Sequence, residues 1–166
     1  MNLLSVGIKN AGRSPSFGGD CVSYSSHLKD LRMIDYSALA ESAVAAKELS
    51  LAPYSNFRVG AALIATDDTV YLGANIESAS YSLTCCAERT ALFKALLDRK
   101  RSFKAIAIAS DSTTYCPPCG ACRQVLADHC GKEFEVVLVH PNGNHKVYTL
   151  QELLPVNFED TIMNKE

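Results

Sequence analysis

A chain of 166 residues with net charge −2 and 20% charged residues is long enough to bury a core on both sides of a sheet, and too evenly charged to present the basic face that a polynucleotide wants. It has no run of about 18 apolar residues, which excludes a membrane-spanning helix. Seven cysteines, two of them adjacent, suit reduced thiols or metal ligands in the cytoplasm better than a disulfide framework.

Residues 1–34 read as an N-terminal extension: Gly7, Gly12, Pro15, Gly18 and Gly19 interrupt it, and its apolar residues keep no period. Lys9 and Arg13 among serines give it a faint transit-peptide character without an amphipathic pattern, and Met33 is a candidate second start. Residues 35–166 are expected to form one domain. A helix is predicted over 36–50, with Tyr36, Leu39, Ala43 and Ala46 on one stripe, ended by Ala52-Pro53. Strands over 59–65 and 69–74 flank an Asp67-Asp68 turn. A second helix is predicted over 86–98, a strand over 103–110, a third helix over 119–129 and a strand over 134–140. Pro141-Asn142-Gly143-Asn144 then turns the chain into a short strand over 146–148, and 150–154 makes a last helical turn. Each strand–helix–strand crossover implies parallel pairing. The expected fold is therefore α/β, a three-layer α/β/α sandwich around a mixed sheet of about five strands. The short basic run Arg99-Lys100-Arg101 reads as charge complementing a helix C-terminus, with a localisation signal as its alternative.

The chemistry concentrates in Thr84-Cys85-Cys86-Ala87-Glu88-Arg89-Thr90 and Pro117-Pro118-Cys119-Gly120-Ala121-Cys122. Zinc takes soft ligands in a tetrahedron, and a catalytic zinc keeps one corner open for water. A helix starting at Cys119 places Cys119 and Cys122 on the same side of its first turn, and Pro118 fits just before that start, where a missing N–H costs nothing. Cys116 and Cys119 make a competing Cys-x-x-Cys pair, but the prolines between them keep the chain extended. A redox reading of either pair leaves Cys86 and Glu88 without a role. Between Cys85 and Cys86 the residues alone do not choose. Cys21 and Cys130 read as small buried hydrophobes, the common fate of a free thiol.

Cys86-Ala87-Glu88 with Pro118-Cys119-Gly120-Ala121-Cys122 resembles the signature of the zinc-dependent deaminases, a ligand-x-Glu followed by Pro-Cys-x-x-Cys. The chain further resembles the small, homotetrameric type of cytidine deaminase from about residue 36 to 160. That likeness rests on Pro53-Tyr54-Ser55-Asn56-Phe57-Arg58-Val59-Gly60, Asn75-Ile76-Glu77, Cys86-Ala87-Glu88-Arg89-Thr90-Ala91, 105–111, Pro118-Cys119-Gly120-Ala121-Cys122-Arg123-Gln124 and Glu152-Leu153-Leu154-Pro155. Ser82 departs from it, because family members often have proline after the tyrosine matching Tyr81.

The resemblance implies one Zn²⁺ per subunit held by Cys86, Cys119 and Cys122, with Cys85 at an ordinarily apolar place. It implies Glu88 as the catalytic acid/base and Arg89 as the group that offsets the negative charge of three thiolates. The substrate residues it implies are Phe57 against the pyrimidine, Asn75 and Glu77 on the ribose, the Ala87 backbone N–H on the base oxygen, and Tyr81. Phe158 is expected to reach a neighbouring subunit's site. The implied reaction is hydrolysis of cytidine and 2′-deoxycytidine to the uridines with release of ammonia, a step of pyrimidine salvage in the cytoplasm. Its implied substrate is a small nucleoside, with no polynucleotide and no membrane as partner. Read without the resemblance, Asn75 is a strand-end turn residue, Glu77 a solvated acid and Phe57 core. A structural zinc module remains as the competing class; it needs a fourth protein ligand and no Glu88.

Overall fold

Alanine alternates with branched aliphatics along the central strands, so each strand buries both faces. The computed structural model describes residues 33–158 and builds that pattern into a five-stranded sheet. The strands are β1 (Val59–Ala65), β2 (Val70–Ala74), β3 (Phe103–Ser110), β4 (Glu135–Val139) and β5 (His145–Thr149), in the order β2-β1-β3-β4-β5. The helices are α1 (Tyr36–Lys47), α2 (Ala87–Leu97), α3 (Gly120–Cys130) and the single turn α4 (Leu150–Leu153). A 3₁₀ turn at Tyr81–Leu83 occupies a stretch to which the sequence assigns no element. Most of the expected extension, and Cys21 with it, lies outside the described residues.

The pleat sorts side chains between two cores. Ala61, Leu63, Ile106, Ile108, Val136 and Leu138 face Ala91, Leu92 and Ala95 of α2 and Leu126 of α3. The alternate positions Ala62, Ala105, Ala107, Ala109, Val137 and Val139 pack against Leu39, Ala40 and Ala43 of α1. This is the expected α/β/α layering.

The sheet is mixed, but one of the two expected parallel pairings does not form. β1 pairs antiparallel with both β2 and β3, so β2 and β3 run the same way with β1 between them. Only the crossover through α3 joins adjacent parallel strands, β3 and β4. The burial pattern gives the reason. Five of the seven β1 residues are fully buried and so need a partner on each side, whereas β2 begins exposed at Val70 and takes the edge.

Two glycines set how close the helices lie. A Cβ on Gly60 would stand 2.2 Å from the Ala43 carbonyl oxygen of α1, and one on Gly73 would stand 2.3 Å from the Ala87 carbonyl oxygen of α2. No side chain fits at either place. α1 ends three residues before the expected boundary because Glu48, Leu49 and Ser50 tighten onto the carbonyls three residues back. Leu51 then leaves the helix to pair beside the chain after β2, its N–H donating to the Asn75 carbonyl and its carbonyl accepting from Glu77 N–H, both at 2.9 Å. No helix among the described residues is long and apolar enough to cross a membrane.

Candidate active site

Both cysteine-bearing segments end in an extended residue that caps a helix. Cys86 (φ −72°, ψ 156°) precedes α2 and Cys119 (φ −65°, ψ 164°) precedes α3, and neither side chain is spent on a capping hydrogen bond. Their sulfurs are therefore free to converge. Cys86 Sγ lies 3.9 Å from Cys119 Sγ, and these two with the buried Cys122 Sγ all fall within 4.8 Å of one another. A tetrahedral zinc with Zn–S near 2.3 Å wants sulfurs about 3.8 Å apart, so the donor set and its spacing fit that ion. The N-terminal ends of α2 and α3 add their partial positive charge to the same point.

Arg89, one turn into α2, donates through one Nη to Cys86 Sγ at 3.7 Å and to the Thr84 carbonyl at 2.8 Å. Its Nε is buried without a hydrogen-bond partner. Hydrogen bonding from Cys122, with Arg89 assisting, draws the Cys86 thiol down to about 5. The Cys122 thiol, donating to that sulfur in a buried position, is pushed the other way. Glu88 is only 4% exposed, and burial lifts its carboxyl to about 7, with the Cys86 thiolate adding to the rise.

Glu88, Cys86 and Cys119 open onto a cavity of about 420 Å³ whose other walls include Phe57, Asn75, Glu77 and Ile108. Ser55, Thr84, Cys116 and Pro117 also line it. The sequence assigns none of these four a role in the site, although Ser55 and Thr84 lie inside or beside the family-like segments and Cys116 enters only as half of a thiol pair. Cys116 is not among the converging sulfurs, nor is Cys85, which accepts a 3.6 Å hydrogen bond from the Thr90 hydroxyl. A wider depression of about 660 Å³, lined by Leu51, Pro53, Arg58 and Ile76, shares Glu77 with the site but contains neither sulfur nor Glu88.

The two polar residues expected on the ribose are engaged with the protein. Asn75 Oδ1 accepts from Val59 N–H at 2.9 Å and from the Ser50 hydroxyl, and its Nδ2 donates to the Phe57 carbonyl at 2.9 Å, leaving one N–H free. Glu77 accepts from Tyr54 N–H at 2.9 Å, Ser55 N–H at 3.2 Å and the Ser55 hydroxyl, which holds its carboxyl below the ordinary range. Both thus shape the loop that carries Phe57. Ala87 is fully buried at the first position of α2, where backbone N–H groups have no partner within the helix. Tyr81 and Phe158 do not line the cavity. Tyr81 is 66% exposed and edge-on to Tyr54, and Phe158 is 54% exposed, its backbone held at both N–H and C=O by the Gln124 amide.

The family model for the cytidine and deoxycytidylate deaminase zinc-binding region matches residues 33–138. The cytidine deaminase of Halalkalibacterium halodurans is 48% identical over 131 residues, 79% of this chain and 99% of that protein. That of Sporosarcina psychrophila is 47% identical over 125 residues, 75% of this chain and 92% of that protein. The crystal structure of cytidine deaminase from Burkholderia pseudomallei matches with a TM-score of 0.72 at 48% identity, covering 76% of this chain and all of that one.

Proposed function

This chain belongs to the cytidine deaminase family, and on that premise we propose that it hydrolyses the free nucleosides cytidine and 2′-deoxycytidine to uridine and 2′-deoxyuridine with release of ammonia. One observation carries the reading: three sulfurs within 4.8 Å of one another beside a buried carboxyl that is not one of the converging ligand groups, at the floor of a nucleoside-sized cavity. Among the described residues the cavity lining holds Glu77 and Glu88 and no lysine or arginine, so a 5′-phosphate would meet like charge there.

Cys86, Cys119 and Cys122 would hold one zinc per chain, which when bound supplies the Lewis acidity that makes water nucleophilic near neutral pH. Glu88 takes a proton from the attacking water and delivers it to N3 of the cytosine ring. The hydroxyl adds at C4, and Glu88 then moves the remaining hydroxyl proton to the amino nitrogen. The C4–N bond breaks, a C4 carbonyl forms and ammonia leaves. A carboxyl lifted toward neutrality by burial is suited to accept and return protons in turn. Phe57 packs on the pyrimidine, the free N–H of Asn75 and the carboxylate of Glu77 meet the ribose hydroxyls, and the Ala87 N–H donates to the base oxygen. Arg89 offsets the charge of three thiolates.

The whole assembly is proposed as a cytoplasmic homotetramer acting in pyrimidine salvage, with Tyr81 and Phe158 turned to a neighbouring subunit's site. Their exposure away from their own cavity supports that role. The decisive assay follows the ultraviolet absorbance of cytidine and of 2′-deoxycytidine. Absorbance is expected to fall with zinc-loaded protein, to hold steady after chelation, and to fall again when zinc is restored. Unchanged absorbance with fully loaded protein overturns the reading.

A further inference from the structure

We propose that Arg58 and Asp111 form a positioning clamp that sets the gap between the two walls of the substrate cavity. Arg58 follows Phe57, which lines one wall, and Asp111 opens the segment that runs to Cys116, Pro117 and Cys119 on the other. The two residues are joined four times. Arg58 N–H donates to Asp111 Oδ2 at 2.9 Å, and Asp111 N–H returns a bond to the Arg58 carbonyl at 3.0 Å. The guanidinium adds a two-pronged contact, Nε to Oδ2 at 2.9 Å and Nη2 to Oδ1 at 3.1 Å. Both residues are also tied to the C-terminal end of α1, Lys47 Nζ reaching Asp111 at 2.9 Å and Arg58 reaching the capping residue Glu48 at 2.8 Å.

Side chains this exposed (43% for Arg58, 24% for Asp111) add little to stability. The planar fork does fix relative position, which a point charge would not. The far end of the same segment has its own anchor. The Tyr115 ring lies 5.0 Å from that of His140 and beneath Lys146 Nζ at 4.7 Å. With Tyr115 held to the β4–β5 end of the sheet, the Arg58–Asp111 contact extends the β1–β3 ladder one residue beyond the Val59–Ser110 pair and ties the start of this segment to the Phe57 wall. Glu88 and Cys122 lie in the first turns of α2 and α3, and Cys86 and Cys119 cap those helices, so the reacting groups are anchored at the helix starts, at the far end of the segment from the clamp. Loosening the clamp therefore weakens nucleoside binding and leaves the reacting groups in place.

The inference rests on the nucleoside reading, and its test separates the two. Zinc-loaded wild type, Arg58→Met, Arg58→Lys and the double variant Arg58→Met/Asp111→Asn are compared by cytidine turnover, calorimetric binding of cytidine, zinc content and Tm. Arg58→Met is expected to raise KM and Kd about fivefold or more, with kcat within about twofold and zinc and Tm unchanged. Arg58→Lys should restore only part, and the double variant should be no worse than the single, because the pair acts as a unit. Unchanged KM and Kd in Arg58→Met, or a fall in kcat that tracks Tm, overturns the clamp. Wild type that binds cytidine without turning it over overturns the deaminase reading, and the Kd comparison still decides the clamp.

Discussion

Glu88 sits within a residue or two of the sulfur cluster, buried, with its carboxyl lifted to about 7 by desolvation. Replacing it with Gln keeps the shape and removes the proton carrier. Glu88→Gln is expected to retain wild-type zinc content while losing about 10³-fold or more in turnover; near-normal turnover in that variant removes the mechanism. Cys130 tests the opposite kind of thiol. Partly buried against the core, Cys130 is pushed up to about 12 by desolvation alone, whereas an unfolded chain's cysteine titrates near about 8.5. The unfolded state therefore releases this proton first, and its contribution to stability is full below about pH 8.5 and declines as pH rises beyond it. Cys130 should resist iodoacetamide in the folded protein at pH 8 and react on unfolding. Mapping the modified cysteines by mass spectrometry decides, and labelling in the folded protein at the rate of a free thiol contradicts this burial. Part of the site is readable from the sequence: spacing puts Cys119 and Cys122 on one helical turn, whereas the resemblance, not spacing, picks Cys86 over Cys85. Asn75 and Glu77 are not so readable. Their partners, Val59 N–H, the Phe57 carbonyl and Ser55, reach them only once the 50–58 segment folds against the chain after β2.

At the scale of elements, periodicity identifies the strands and helices to within a few residues, since side-chain alternation and helical stripes are local properties. The neighbour of each strand is not local. The crossover from β2 through α2 passes over β1 because β1, buried on both faces, pairs on both edges, and no residue in the crossover encodes that. The tight contacts at Gly60 and Gly73 offer an element-level test. Adding a methyl at either place drives it into a helix backbone, and overpacking of this kind costs roughly 1–3 kcal/mol or more. The two should differ in function. Gly73→Ala displaces the start of α2, which Cys86 caps and whose first turn carries Glu88, so zinc affinity should fall together with Tm. Gly60→Ala displaces α1, which carries no ligand, so Tm should fall while zinc stays bound. Equal zinc affinity in the two variants contradicts this placement of α2.

For the whole molecule, 131 residues, 79% of this chain, account for 99% of the Halalkalibacterium halodurans relative, and the family model matches from residue 33 onward. A chain beginning at Met33 is expected to keep zinc content and kcat/KM within about twofold of the full chain, and a larger loss would assign the extension a part in catalysis. Assembly is expected to matter more. Sedimentation should show a species of four chains, and Phe158→Ala should lower activity without dissociating it if the tail completes a neighbour's site. Tyr81, so exposed on one chain, should lose that exposure to solvent labelling on assembly.

Every step of the proposed chemistry depends on three sulfurs from the starts of two helices leaving one ligand position open. X-ray absorption at the zinc edge of the loaded protein measures that coordination directly. Three sulfurs at about 2.3 Å and one light atom near 2.0 Å are the expected shell. Four sulfurs, or no zinc bound to protein prepared with the ion in excess, would contradict it.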